Sequence, residues 1–487
     1  MTIHLAPLVI VIAYLIGLLG IGYISKRYLI KTSTDFMLAG RRMGVFYVAA
    51  SLAANNVGGG STMGVASRAF SGWGLSAGWY VMAASIGIIP LAYFAPKIRK
   101  TLAYTIPEVI RNRFGEIAGT SSAFLNIISL FCLTASQILA SGSVVSMLTG
   151  IPLNVAIFIS GSITICYCVM GGIVADIISD VLQWFIIFFG LFFTMIVVLK
   201  NIGGFKVLSE MLPGKTMSFT GVGFVTIISL VINYFCTFLS GPEMISRFSS
   251  SKDEKTAQKA ALLSAVMMGL MAFIPAVIGL VALAINPGLD GGKGTTALMW
   301  TVGNFAPPVA VGFMAAAIIS ATMSSADSNL ICASTIFVKD IYQAYINPKA
   351  EDRTLIILAQ VSNVVIGIFG ITIALFRINL VTLNLFAFAL RSSGPFAAYG
   401  LGLIWKKATK NSGLVSIICG SLGAIIWQSL GEPFGLLAIV FGCSTGVISF
   451  VITVFIDRAL GVEAAPSAYS ADRISDTISE KAAEGQV

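Results

Sequence analysis

Apolar runs of about 20 residues recur from one end of the chain to the other, separated by short stretches that hold most of the charge. A helical run of that length crosses the roughly 30 Å hydrocarbon core of a bilayer. The pattern predicts an all-α polytopic membrane protein with about 13 spans. They fall at residues 5–25, 44–70, 76–95, 119–147, 152–171, 174–199, 222–243, 258–286, 305–338, 353–376, 379–405, 412–430 and 434–456. The first run is too long for the apolar part of a secretory leader and follows no basic segment, so it reads as a span. The stretch TIPEVIRNRFG, residues 105–115, is too charged to cross and reads as a short helix at the inner surface.

Two spans are interrupted. Span 2 contains AANNVGGGSTMG, residues 53–64. Each interior glycine costs a helix roughly 0.5–1 kcal/mol relative to alanine. Non-helical backbone at membrane depth survives only where protein buries it or where it lines a cavity. Its freed carbonyls suit a small hard cation, and the helix N-terminus beyond the break favours an anion. Span 7 runs into NYFCTFLSGPEMISRF, residues 233–248, where Gly241-Pro242 ends or kinks the helix with Asn233, Tyr234 and Thr237 one or two turns inside.

Broken helices five spans apart are the mark of two five-helix inverted repeats with a site between them. The repeats are expected over residues 44–199 and 200–405. A peripheral helix and loop precede them (1–43), two peripheral helices follow (406–460), and a polar tail (461–487) reads as disordered.

Composition agrees: 57% of the residues are hydrophobic and 10% charged, against about 25% charged in a soluble domain. The net charge of +9 does not call for a nucleic-acid partner, because cytoplasmic loops of membrane proteins collect Lys and Arg. Alternate connections hold 20 basic residues against 5, which puts the N-terminus outside and the C-terminus in the cytoplasm, in a plasma (inner) membrane. Seven scattered cysteines, among them Cys132, Cys166, Cys168, Cys236 and Cys332, show no metal or disulfide spacing and read as small core hydrophobes. The single histidine, His4, excludes a buried imidazole relay. No nucleophile–base pair or metal cluster stands out, so an enzyme is not expected. The partners expected are a small solute and the lipid bilayer, with no obligate protein partner evident.

Span 9 carries the densest chemistry, IISATMSSADSNLICASTIFVKDIY at residues 318–342. Ala321, Ser324, Ser325 and Ser328 recur at helical spacing and share one face. Hydroxyl and carbonyl oxygens with little net charge suit Na⁺, where Mg²⁺ or Ca²⁺ would want more carboxylates. Asp327 stands beside that face, and an ionisable residue at depth costs roughly 2.5–3.5 kcal/mol on insertion scales. In VADIISDVLQW, Asp180 is placed to balance a cation or an arginine, while Asp176 reads as a wetted helix-start residue. Arg391, in FAFALRSSGPF, either pairs internally with an aspartate or fixes a substrate carboxylate. Arg68 lies near the outer end of span 2. Gln137, in TASQILASG of span 4, is a further lining candidate.

These stretches resemble the sodium:solute symporter family, which includes sodium/proline, pantothenate, sialic acid and glucose symporters. The resemblance rests on the glycine-rich broken span, TIPEVIRNRF, GGIVADIISDVLQ, SGPEMISRF and ATMSSADSNLICASTIFVKDIY. It implies a LeuT-type 5+5 inverted-repeat bundle. It also implies a Na⁺ site built from the carbonyls of Ala54, Val57 and Ala321 and the hydroxyls of Ser324 and Ser325. Asp180 matches a family aspartate linked to cation coupling, and Asp327 and Ser328 fall where some members place a second sodium. Gly60 and Ser61 replace the Glu and Gln of the sugar symporters, which argues against a sugar.

The expected function is Na⁺-coupled import of a small organic solute, an anion such as a carboxylate. It would bind near Asn56, Gly58, Gln137, Asn233, Tyr234, Thr237 and Arg391. The rivals are a proton-coupled transporter using Asp180 or Asp327, and a transporter-like solute sensor. The latter needs an output domain for which the tail is short.

Overall fold

A computed structural model describes residues 5–378, 380–433 and 436–469. His4 and the tail from residue 470 onward lie outside the described residues. Among the described residues every named element is a helix, as the lack of backbone partners in lipid requires. Eight helices are long and apolar enough to cross a bilayer, or up to ten if each of two bent pairs is one span. That falls short of the 13 spans read from the sequence, and the difference lies in joined and broken helices.

Spans 5 and 6 run together as Leu153–Asn201, 49 residues. At 1.5 Å per residue this is about 74 Å, more than twice the hydrocarbon thickness. The chain turns within it at Gly172 (φ 51°, ψ −161°). A side chain at Gly172 would start 2.6 Å from the Phe36 carbonyl oxygen. Span 11 is split at Gly394 into Leu380–Ser393 and Pro395–Ile404.

Both anticipated interruptions are present. Val45–Asn56 stops short of the glycines, and helix resumes at Gly60. Phe224–Leu239 and Pro242–Ser250 meet at 58°. A further bend of 47°, at Pro90 in span 3, separates Gly60–Gly87 from Leu91–Lys100. The surface helix Ile106–Phe114 also forms where expected. Thr105 caps it, its hydroxyl accepting the Glu108 N–H at 3.1 Å.

Lipid tails are as apolar as leucine, so close packing of small residues, rather than apolar burial alone, holds such helices together. The span 9 helix Pro308–Ile336 is rich in Ala and Ser and packs against Glu116–Thr149 and Leu153–Asn201. Its apolar window is 78% buried, against 22% for the first helix and 39% for each of the last two. Span 9 is therefore the centre of the bundle. Cys132, Cys168, Cys236 and Cys332 are buried as read, whereas Cys166 is exposed on the outer face of its helix.

Candidate functional site

A break in a buried helix frees backbone groups that need new partners, and in span 2 they are met from three sides. Ala54 O accepts the Val57 N–H at 3.2 Å. Asn55 O accepts the Ser325 hydroxyl at 2.7 Å. Asn56 O and Gly58 O accept the hydroxyls of Ser61 and Thr62 at 2.9 and 3.1 Å. The Gly59 N–H donates to Gln137 Oε1 at 3.1 Å, so Gln137 holds the break as well as lining a cavity beside it. A Cβ at Gly58 would sit 2.9 Å from both Gln137 Oε1 and Ser325 Oγ. Glycine there lets spans 4 and 9 close on the break.

Span 9 meets the break with the face read from sequence. Ala321, Ser324, Ser325 and Ser328 are all buried. Ser325 Oγ, besides its bond to Asn55 O, lies 3.1 Å from Ala321 O. The Ser324 hydroxyl donates to Asp180, and the Ser51 hydroxyl donates to the other oxygen of the same carboxylate. Ala54, Val57, Ala321, Ser324 and Ser325 thus belong to two helices that Ser325 ties together. They offer neutral oxygens, a donor set that fits Na⁺ better than a divalent ion. Among the described residues no group of three or more His, Cys, Asp or Glu is arranged to hold a metal.

Next to this face lies a fully buried charge cluster of Asp176, Asp180, Asp327 and Arg247. Arg247 Nη2 pairs with Asp176 and reaches the Ser328 hydroxyl. It lies 3.6 Å from Asp180, and its Nε donates to Ser51 at 3.1 Å. Two sequence readings are corrected here: Asp176 is not wetted, and Arg247, one of the 20 basic residues counted into the inner connections, is buried in the bundle. Arg247 rides on Pro242–Ser250, the second half of broken span 7, whose nine residues are all buried. Asp327 Oδ1 accepts the Ser328 N–H at 2.9 Å, while Oδ2 has no partner. Three carboxylates face one guanidinium, and uncompensated buried charge is costly. The cluster favours the arrival of positive charge beside Ser324.

On the other side of the break a cavity of about 60 Å³ is lined by Asn56, Gly58, Gln137, Tyr234 and Arg391. That is room for about four to six waters, or one small solute. Two expected lining residues lie elsewhere. Asn233 precedes Tyr234, is turned from it by about 100° around the helix, and lines a separate cavity of about 200 Å³. Thr237 is fully buried, with its hydroxyl unpartnered, and lines neither.

Arg391 is the main correction. Its two terminal nitrogens donate to the two carboxylate oxygens of Glu243, 2.6 Å each, and the Phe388 ring lies 5.0 Å from it. The partner is neither an aspartate nor a free solute. Glu243 escaped the sequence reading because it lies just past Gly241-Pro242, at the last residue of span 7 as read, and its partner is far away in the chain. Asn55, Asn329 and Asn384 also line the cavity. Asn329 was legible, four residues beyond Ser325 on the same helical face. Asn384, which accepts the Ser136 hydroxyl at 2.6 Å, carried no local signal.

The profile of the sodium:solute symporter family matches residues 36–420. The chain belongs to that family. The symporter is 27% identical over 485 residues to the sodium/proline symporter of Escherichia coli, covering 94% of this chain and 95% of that one. It is also 27% identical over 481 residues to the high-affinity proline transporter of Bacillus subtilis, covering 94% and 98%.

Among solved structures it is similar to a Na⁺-coupled sialic acid symporter in an outward-open state, with a TM-score of 0.80 at 19% identity over 96% of this chain and 100% of that one. The closed form of the nucleobase-cation symporter Mhp1 gives a TM-score of 0.60 at 16% identity over 91% and 98%. The symporter thus has the LeuT-type bundle. It is a multi-pass plasma-membrane transporter of a small solute, not an enzyme, and Na⁺ is its coupling ion.

Proposed function

We propose that this symporter imports a small zwitterionic solute of the amino-acid type, one Na⁺ per cycle. The observation that carries this is the Arg391–Glu243 pair. The cavity holds one fixed positive and one fixed negative charge that already satisfy each other. Such a site suits a solute carrying both charges or none, and gives a lone anion no free cation to bind. The expectation of a carboxylate anion is revised accordingly. Two relatives named as proline transporters agree with a zwitterion.

In this reading Na⁺ enters from outside and binds among the carbonyls of Ala54, Val57 and Ala321 and the hydroxyls of Ser324 and Ser325. Ser325 also lines the solute cavity. Turning its hydroxyl oxygen toward the ion loosens its bond to Asn55 O and reorders the break against span 9. The solute then lodges near Asn56, Gly58, Gln137 and Tyr234. Ion and solute share one hydroxyl, and each lowers the ordering cost of the other. Ser328, Asp180 and Asp327 take no second ion here, because the Arg247 guanidinium already occupies the Ser328 hydroxyl. The repeats at 44–199 and 200–405 then rock about the site and open the inner path, with the N-terminus outside and the C-terminus in the cytoplasm.

The test is a melting-temperature screen of purified protein in Na⁺ or choline, against zwitterionic amino acids, monocarboxylates and sugars. The expected result is stabilisation by a zwitterion in Na⁺ alone. Ser325→Ala should raise the Na⁺ concentration needed by about tenfold, the loss of one ligand worth about 1.4 kcal/mol. Stabilisation by monocarboxylates and not by zwitterions would overturn the reading.

A further inference from the structure

Two helices that line the solute cavity continue one turn past it, toward the side that the basic connections mark as cytoplasmic. Glu243 and Asn329 line the solute cavity. Ser246 and Cys332, three residues farther along the same two helices, line a much smaller cavity of about 10 Å³, room for one water. Tyr104 and Thr105 also line it, from the link that joins span 3 to the surface helix Ile106–Phe114.

That link is anchored on the end of span 9. Thr105 donates its hydroxyl to Asp340 at 2.5 Å, and Arg111 pairs with the same carboxylate at 3.2 Å. The Tyr104 side chain reaches the other way, to the segment that leads into span 2. Its hydroxyl shares a hydrogen bond of 2.5 Å with Thr34, and the Arg41 guanidinium lies 5.3 Å from its ring centroid. The Lys339 ammonium stands 4.1 Å from the same centroid. One ring is thus shared by a cation ahead of span 2 and a cation at the end of span 9. These are the two helices that Ser325 ties together at the break; Tyr104 ties their inner ends.

We infer that Tyr104 is the inner gate of the transport path, a ring held by Arg41 and Lys339 that must swing aside before the solute passes Ser246 and Cys332 to the cytoplasm. The gate rests on the inner cavity and the ring contacts; its control by the ion rests on the Na⁺ site proposed above. Na⁺ among Ala54, Val57, Ala321 and the two serines draws spans 2 and 9 together and keeps both cations within reach of one ring. The two cations repel each other, so the ring holds them only while the helices press them together. When the ion leaves, the helices part and the ring cannot follow both. Ion release and gate opening become one movement.

Cys332 supplies the readout, because its buried thiol donates to Ser246 behind the ring. Inside-out membrane vesicles holding the full chain are treated on the cytoplasmic face with a membrane-impermeant methanethiosulfonate, in Na⁺ or choline. Modification of the Cys332 peptide is followed by mass spectrometry. Wild type should be modified slowly in Na⁺ and about tenfold faster in choline. In Na⁺, Tyr104→Phe keeps the ring, loses the Thr34 bond and should gain about threefold. Tyr104→Leu loses the ring as well and should gain about thirtyfold, with the Na⁺ dependence gone. Lys339→Gln removes one cation and should gain about threefold.

A structural role for Tyr104 would shift the melting temperature and leave the Na⁺ dependence of labelling in place. Tyr104→Leu labelled no faster than wild type in Na⁺, or no faster than Tyr104→Phe, overturns the gate and leaves the Na⁺ site standing. If Tyr104→Leu does not fold, Lys339→Gln labelled at the wild-type rate overturns it equally. Wild type labelled at one rate in Na⁺ and choline, with Tyr104→Leu fast in both, supports the gate and overturns the Na⁺ site at Ser324 and Ser325.

Discussion

Glu243 and Arg391 are 148 residues apart in sequence and bond through both oxygens and both terminal nitrogens. A buried pair of this kind adds little net stability, but removing one partner leaves a bare charge in a low dielectric, at about 3–5 kcal/mol. Glu243→Gln is therefore expected to lower the melting temperature sharply, and the double variant Glu243→Gln/Arg391→Gln to recover most of the loss. The same single variant frees the guanidinium. Binding of monocarboxylates, weak in wild type, should then appear in Glu243→Gln and vanish again in the double variant. A double variant as unstable as the single one would mean that the pair is not the source of the effect. At this scale the sequence is legible only where partners are close along the chain. Ser324 and Ser325 announce themselves on one helical face, whereas Arg391 does not reveal Glu243, nor Arg247 reveal Asp176, because a long-range pairing leaves no periodic trace.

Element boundaries were more legible, because the residues that break helices do so through their own backbone chemistry. The glycines of 58–60, Gly241-Pro242 and Gly172, in the gap between spans 5 and 6, each mark an observed change of direction. What escaped was the path taken after a break. Pro242–Ser250 is polar enough to resemble a loop, yet it is buried because Glu243 and Arg247 find counter-charges inside the bundle. Gly172 offers the sharpest test at this level. Its φ of 51° and the 2.6 Å approach of the Phe36 oxygen make Gly172→Ala strained twice over, at about 1–3 kcal/mol. A lower melting temperature and lower yield of folded protein are expected. Gly17→Ala is the matched control, since nothing lies within 4 Å of a Cβ there. It should be neutral or stabilising by up to about 1 kcal/mol from helix propensity. Equal losses in both variants would remove the special role of the Gly172 turn.

Across the whole molecule the charges decide what the transport cycle can drive. One Na⁺ entering with a zwitterion moves one net charge, worth about 2.3 kcal/mol per 100 mV. A tenfold Na⁺ gradient adds about 1.4 kcal/mol, and at that same energy per factor of ten the two together sustain roughly 500-fold accumulation. The buried cluster bears on the ion count, because its three aspartates face a single fixed cation, Arg247. With the Ser328 hydroxyl already held by that guanidinium, a single coupling ion is expected. Proteoliposomes loaded with K⁺ and treated with valinomycin set the potential independently of the Na⁺ gradient. Removing 100 mV should lower the steady accumulation of the solute by about 50-fold, the factor that 2.3 kcal/mol represents. Indifference to the potential would mean that a monoanion travels with one Na⁺, and the neutral Arg391–Glu243 pair would not be what selects the solute. A drop beyond about a thousandfold would need two net charges per cycle. If Asp327→Asn then restored the 50-fold value, the second ion would sit at Asp327, whose Oδ2 has no protein partner, and Arg247 would have to release Ser328 to admit it.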